Sequence, residues 1–182
     1  MAQVYLSLGS NLGDRLALLR AAVARLRAEG LALVAASPLY ESEPWEAEPG
    51  QTECERPWYL NCVVAVETAL PPRTLLERVQ AIEAALGRTR APGRTPEARR
   101  FDARPLDIDI LFYDDTVISA PDDLHIPHLL AAERAFVLRP LADIAPELTH
   151  PTLYRQVREL LADLADEHEV RRGAYPARWL DD

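Results

Sequence analysis

The sequence predicts an α+β fold: one mainly antiparallel sheet with helices on one face. Three observations carry that prediction. Apolar residues recur with period 2 and then with period 3.6, in the order strand, helix, strand, strand, helix, strand. A glycine stands just past each helical pattern, Gly30 after the first and Gly87 after the second. The chain has 182 residues, 48% hydrophobic and 27% charged, which suits one globular domain spanning 1–182.

The first strand is expected over 4–8, where β-branched and aromatic residues run up to Gly9. The turn GSNLGD follows, and Asp14 is placed to cap a helix whose Leu16, Leu19, Val23 and Leu26 share a face. A second strand over 31–40 is interrupted at Pro38. The segment ESEPWEAEPGQTECERPW is rich in proline and glutamate and has no period, so it is expected to be a long loop. A third strand follows over 59–68. A second helix over 71–86 has proline near its start and Leu75, Leu76, Val79, Ile82 and Leu86 on one face. The irregular stretch RTRAPGRTPEARRFDA leads into a fourth strand over 106–113. Short elements come next, then a last helix expected over about 153–166. This order is the ferredoxin-like, split βαβ sandwich with C-terminal additions. Its helices lie on one face and leave the other face for a site.

Composition excludes several classes of function. The formal net charge is −9, opposite in sign to the basic footprint of a nucleic-acid binder. All 20 cationic residues are arginines. The two cysteines, Cys54 and Cys62, form neither a CxxC pair nor a zinc spacing, as expected of reduced thiols in a cytoplasmic protein. No apolar run reaches the roughly 18 residues of a membrane span. The N-terminal residues lead straight into a strand without the basic region of a signal peptide.

Chemistry concentrates in RPLDIDILFYDD, residues 104–115. Alternation along a strand puts Leu106, Ile108, Ile110 and Phe112 on one face and Asp107 and Asp109 on the other. Two carboxylates about 6.6 Å apart along a strand can hold one Mg²⁺, or a pair about 3.5 to 4 Å apart. Two aspartates on a solvated face would read the same way. Arg88, Arg90, Arg94, Arg99, Arg100 and Arg104 precede the pair. Guanidinium groups match phosphate bidentately, so carboxylates beside an arginine-rich stretch point to Mg²⁺-nucleotide chemistry. Taken singly, each arginine also fits a solvated loop. His125 and His128 flank an Ile-Pro pair and can donate to phosphate or serve the structure. GSNLGD is neither a P-loop nor GxGxxG, so a nucleotide site here must be built without either.

YLSLGSNLGDR, YLNCVVAVET, RPLDIDILFYD and IPHLLAAERAFVLRPLADIAPEL, in that order and over nearly the whole chain, resemble the 6-hydroxymethyl-7,8-dihydropterin pyrophosphokinase family. The resemblance implies a ferredoxin-like α+β fold and a reaction in folate biosynthesis. There, ATP and 6-hydroxymethyl-7,8-dihydropterin give AMP and the pterin pyrophosphate, with two Mg²⁺. It implies that Asp107 and Asp109 hold the metal and that Arg88 and Arg104 join them in catalysis. Gln80, Glu83, Arg88, Arg90, Arg100, Arg104, Ile110, His128 and Arg134 are implied at ATP. Ser42, Pro44, Trp45, Tyr59, Asn61, Phe101, Asp107 and Phe136 are implied at the pterin. Two positions depart from the family pattern: Asp102 stands where a small residue is usual, and Leu129 where a tyrosine often is.

The expected protein is therefore a cytoplasmic monomer whose partners are ATP and the pterin, with no nucleic acid and no membrane. The two irregular stretches, 43–58 and 88–103, are expected to close over the ligands. Two other classes stay open: a nucleotidyl transferase on the same kind of sheet, which releases pyrophosphate, and a binding module without catalysis.

Overall fold

The computed structural model describes residues 1–44, 57–88, 105–120 and 124–181. In chain order these form β1 (Ala2–Ser10), α1 (Arg15–Ala28), β2 (Ala32–Ala36), β3 (Tyr40–Ser42), β4 (Tyr59–Thr68), α2 (Pro72–Ala85) and β5 (Asp107–Tyr113). A hairpin follows, β6 (Ile118–Ala120) and β7 (Leu124–Ile126), then a 3-10 turn (Ala131–Glu133), α3 (Ala135–Ile144), α4 (Val157–Ala162) and β8 (Val170–Arg172).

Local chemistry sets the ends of these elements. Asp14 caps α1 by accepting from the Ala17 N–H at 3.0 Å. Gly30 (φ 85°) and Gly87 (φ 97°) take the left-handed conformation just past α1 and α2. Pro38 divides the expected second strand into β2 and β3, because proline cannot donate to a ladder. The sheet runs β5-β1-β4-β3-β8, with β2 also paired to β4. Every pairing in it is antiparallel. The split βαβ order and its ferredoxin-like sheet are thus present.

Each face of the sheet has its own core. On one face, Val4, Leu6 and Leu8 of β1, Leu60, Cys62, Val64 and Val66 of β4, and Ile108 and Ile110 of β5 bury against α1 and α2. The second face is not left open along its length, as the sequence had implied. There α3 and α4 cover Tyr5, Val63, Ala65, Leu111 and Phe112. Helix α3 was not visible in the sequence because Pro140 sits inside it and masks an apolar face of Ala135, Leu138 and Leu141. Phe112 also departs from the expected alternation. The β1–β5 register slips between Tyr5 and Leu6, so Leu111 is an extra residue and Phe112 turns to the second face. Phe112 there meets Tyr5 and His150 edge-on, with ring centroids 6.4 and 5.4 Å away.

The last helix is shorter than expected. The His150 ring nitrogen gathers the Thr152 and Leu153 N–H groups, and Tyr154 has φ 55°, so the chain stays turned until Gln156. The capping bond from the Gln156 N–H to Glu159 then starts α4.

The C-terminal residues return to the first core. Trp179 is 1% exposed and lies among the residues packed between sheet, α1 and α2. Its indole N–H donates to the Ser37 carbonyl at 2.9 Å, and Arg20 Nε donates to its backbone carbonyl at 2.6 Å. Trp179→Ala is therefore expected to cost about 3–5 kcal/mol, through lost apolar burial and an unrelaxed cavity. Trp179→Phe should cost less, with about 1 kcal/mol from the lost indole bond. Urea titrations of both variants check this, and equal stability of Trp179→Ala and wild type would show that Trp179 is not part of the core.

Candidate active site

The pairing register places the sequence motifs in one row. Tyr40 of β3 faces Asn61 of β4, Asn61 faces Gly9 of β1, and Gly9 faces Asp107 of β5. One row further in, Ser7 stands between Val63 and Asp109. Residues opposite one another in a ladder point to the same face. This is the second face, where α3 covers the Tyr40 end of the row. Asp107 and Asn61 are two strands apart, about 10 Å. Between them Gly9 contributes no side chain. A Cβ at Gly9 would lie 3.0 Å from Asn61 Oδ1 and 3.9 Å from the Tyr59 ring. The glycine therefore lets the Asn61 amide oxygen lie close over β1, between the carboxylate end and the rest of the row. Sequence reasoning missed Gly9 as a site residue. Its signal was present in YLSLGS, where the residues on this face, Tyr5, Ser7 and Gly9, shrink step by step toward the site.

At the carboxylate end, Arg88 donates through Nη1 to both Glu83 and Asp107, the latter at 2.5 Å. Glu83 is 2% exposed, and its Oε1 also accepts from the Ile108 N–H at 2.8 Å. Burial first, and the neighbouring Asp107 carboxylate second, push Glu83 up to about 8, against the opposing pull of Arg88 and the Ile108 N–H. Gln80 is partly exposed on the same helix. The Ile110 side chain is buried against α1 and α2, on the face opposite Asp107 and Asp109, so only its backbone can turn toward a nucleotide.

At the amide end, Asn61 and Ser42 are both buried, and Asn61 Nδ2 donates to Ser42 Oγ at 2.9 Å. Tyr59 pairs with Ser42 across the β3–β4 ladder, and Pro44 follows two residues later. Trp58, just before β4, is held from two sides. The Arg171 guanidinium lies 4.4 Å from its ring centroid, and Arg15 donates to its carbonyl at 2.8 Å. Glu41 accepts from both arginines at 3.1 Å.

Arg134 and Phe136 flank the first residue of α3, and the Arg134 guanidinium lies 5.5 Å from the Phe136 ring centroid. The His128 N–H donates to the Leu111 carbonyl at 3.0 Å, and its Nδ1 accepts from the Leu130 N–H. These contacts fasten His128 beside β5. Trp45, Arg90, Arg94, Arg99, Arg100, Phe101, Asp102 and Arg104, with most of the two stretches expected to close, lie outside the described residues.

The donor set bears on the choice of metal. Asp107 and Asp109 share a face, and among the described residues no group of three or more His, Cys, Asp or Glu is placed to hold an ion. Zinc asks for three or four protein ligands. Mg²⁺ is commonly bound through one or two carboxylates, with water and substrate phosphates completing its shell, and these residues fit it.

Comparison with known proteins adds family and fold. The family 7,8-dihydro-6-hydroxymethylpterin-pyrophosphokinase (HPPK) matches residues 5–146. The 2-amino-4-hydroxy-6-hydroxymethyldihydropteridine pyrophosphokinase of Methylorubrum extorquens is 45% identical over 165 residues, 90% of this chain and 94% of that protein. The Mycobacterium tuberculosis protein of the same name is 40% identical, over 94% of this chain and 89% of that one. The folic acid synthesis protein fol1 of Schizosaccharomyces pombe is 37% identical, and this chain spans 20% of its length. Among solved structures, wild-type Plasmodium falciparum HPPK-DHPS superposes with a TM-score of 0.62 at 19% identity, over 88% of this chain and 44% of that one. At that identity the likeness is one of fold.

The buried glutamate makes stability depend on pH. With its folded value near 8 and an ordinary value of 4.5, Glu83 keeps its proton over a range in which the unfolded chain has lost it. The folded state then binds more protons, so stability falls as pH rises through that range. Glu83→Gln cannot titrate and is expected to flatten this part of the curve. Urea midpoints in metal-free buffer at about pH 5 and about pH 8 check it. The same fall with pH in both proteins would mean that Glu83 is not its source.

Proposed function

Because the chain belongs to the 7,8-dihydro-6-hydroxymethylpterin-pyrophosphokinase family, we propose that the row Asp107–Gly9–Asn61 is where its two substrates meet. The activity is that of an ATP-dependent pyrophosphokinase of folate biosynthesis. The hydroxymethyl oxygen of the pterin bonds to the β-phosphorus of ATP. The bond from that phosphorus to the oxygen bridging the α and β phosphates breaks, AMP leaves with the bridging oxygen, and the hydroxyl proton is released. The observation that carries the assignment is the row itself. It sets an amide suited to a heterocycle edge about 10 Å from a carboxylate pair, with a side-chain-free glycine between.

The residues divide the work by chemistry. Asn61 can donate and accept along one edge of the pterin, and Ser42 fixes its amide. Phe136 offers a ring face, as does Phe101 of the second irregular stretch. Arg88, already beside Asp107, is placed to take phosphate charge, and Arg90, Arg100, Arg104, His128 and Arg134 supply more. Glu83, buried and bonded to Arg88 and Ile108, acts by aiming Arg88. Gln80, Trp45, Pro44 and Tyr59 complete the surroundings. Phosphoryl transfer of this kind depends on positioning and on charge stabilisation.

Asp107 and Asp109 would hold two Mg²⁺ ions, which when bound supply charge neutralisation at the phosphates and lower the pKa of the attacking hydroxyl. The reading takes the whole chain as one domain, since Trp179 packs in the same core as β1 and α1. It takes ATP and the pterin as the partners of a single copy in the cytoplasm. No part is assigned to nucleic acid or membrane; the net charge of −9 supports the first, and among the described residues no helix is long and apolar enough to cross a membrane.

The test is incubation with ATP, Mg²⁺ and 6-hydroxymethyl-7,8-dihydropterin, followed by analysis of products. AMP with the pterin pyrophosphate is expected. Release of inorganic pyrophosphate would instead indicate a nucleotidyl transferase.

Two substitutions sharpen the assignment. Asp107→Asn and Asp109→Asn should each lower turnover by about 10²-fold or more while the fold persists, since each removes a carboxylate charge that would hold Mg²⁺ against the phosphates. Steady-state rates alongside circular dichroism decide this, and near-normal turnover in either would remove that residue from the site. Asn61→Leu is expected to weaken pterin binding roughly tenfold to a hundredfold, as a buried polar edge loses its partner, with ATP binding little changed. Calorimetry with each ligand measures both affinities. Equal losses would contradict the placement of the pterin.

A further inference from the structure

The residues that the site needs from α3, Arg134 and Phe136, are held from a part of the chain beyond the family match, which ends at residue 146. Helix α3 has no side-chain cap from its own N-cap residue, Arg134. The bond comes instead from Asp166, whose Oδ2 accepts from the Ala135 N–H at 2.7 Å. Ala135 is the residue between Arg134 and Phe136. The Asp166 side chain is wholly buried. Its other oxygen, Oδ1, is engaged by His168, through the backbone N–H at 3.0 Å and ring Nδ1 at 2.6 Å. A buried carboxylate at the start of a helix complements the helix dipole as well as an orphan N–H.

The residues that follow continue this connection. Glu43 and Glu169 exchange bonds: the Glu43 N–H donates to the Glu169 carbonyl at 3.1 Å, and the Glu169 N–H donates to Glu43 Oε1 at 2.7 Å. Val170 faces Ser42 across the β3–β8 ladder, and its carbonyl accepts from Arg139 of α3 at 2.7 Å. Tyr40, Ala135 and Val170 bury together, with Phe136 packed against them. One short segment thus touches the strand that carries Ser42 and the helix end that carries Arg134 and Phe136.

We infer that Asp166, oriented by His168, is a positioning residue: it fixes the N-terminus of α3 and with it the guanidinium of Arg134 and the ring of Phe136. The inference rests on the roles given to Arg134 and Phe136 above. Asp166 reaches only the backbone between them, so its effect on the reaction passes through their placement. A displacement of about 1 Å in such groups can cost on the order of a hundredfold in rate.

The experiment compares Asp166→Ala, Asp166→Asn and His168→Ala with Glu159→Ala, which removes the capping bond of α4 at a distance from the row. For each, kcat, both KM values and calorimetric affinity for the pterin and for a non-hydrolysable ATP analogue are measured well below the melting temperature. Asp166→Ala is expected to lower kcat/KM roughly tenfold to a hundredfold and to weaken pterin binding. Asp166→Asn should recover part of the loss, because its amide oxygen still accepts from the Ala135 N–H. His168→Ala should show a smaller loss in the same direction, and Glu159→Ala wild-type turnover.

A folded Asp166→Ala with kcat and both KM values within about twofold of wild type would overturn the inference. So would an equal loss in Glu159→Ala, which would mark a general effect of stability. Should Asp166→Ala fail to fold, His168→Ala decides by the same criterion. Absence of AMP from the wild-type protein would sink the pyrophosphokinase reading separately, and pterin affinities across the series would still decide the role of Asp166.

Discussion

Glu83 reaches from α2 to the backbone of Ile108, and the Arg88 guanidinium lies against both Glu83 and Asp107. Three ionisable groups share a partly dry space here, and Glu83, the most buried of them, depends most on the others. An isolated buried carboxylate costs several kcal/mol or takes up a proton. The single guanidinium lowers that cost for two carboxylates at once, and the proton retained by Glu83 lowers it further. Because Glu83 also accepts from a β5 N–H, the same cluster locks α2 to the strand that carries the aspartates. The direction in which Asp107 points is therefore set before any nucleotide or metal arrives.

Most of the fold was legible in the sequence because its signals were local. Period-2 runs marked β1, β4 and β5 to within two residues at each end, Gly30 and Gly87 marked the helix ends, and Pro38 marked the break between β2 and β3. The misreadings share a cause: in each, a tertiary contact overrode the local pattern. Pro140 reads as a helix breaker, yet α3 runs through it because one face packs on the sheet. Leu111 is one residue too many for its partner strand, which no periodicity in β5 alone could reveal. His150 draws in the N–H groups of Thr152 and Leu153 and delays the last helix.

The site was legible to a different degree. Asp107 and Asp109 stand out because carboxylates alternate with isoleucines, and the arginines because they cluster. Asn61 and Ser42 draw attention only through resemblance, since single polar residues in strands are common. Their hydrogen bond and their alignment with Gly9 and Asp107 belong to the register, which requires knowing which strands lie side by side. Asp166 is further still from sequence logic. It acts on a backbone N–H 31 residues away, and nothing in its neighbourhood announces that.

The bulge at Leu111 has a meaning for the life of the protein outside its chemistry. A regular, unpaired strand edge is a template for other chains to join. Strand β5 lies at one margin of this sheet, where its extra residue and its two aspartates disrupt the repeat that a foreign strand would need. At the opposite margin, β2 carries a similar irregularity at Val34, and β8 is only three residues long and bears Arg171 and Arg172. Among the described residues, each margin is thus kinked, charged or short. Carboxylates on such a margin also disfavour edge-to-edge joining of newly made chains, at no added cost in sequence.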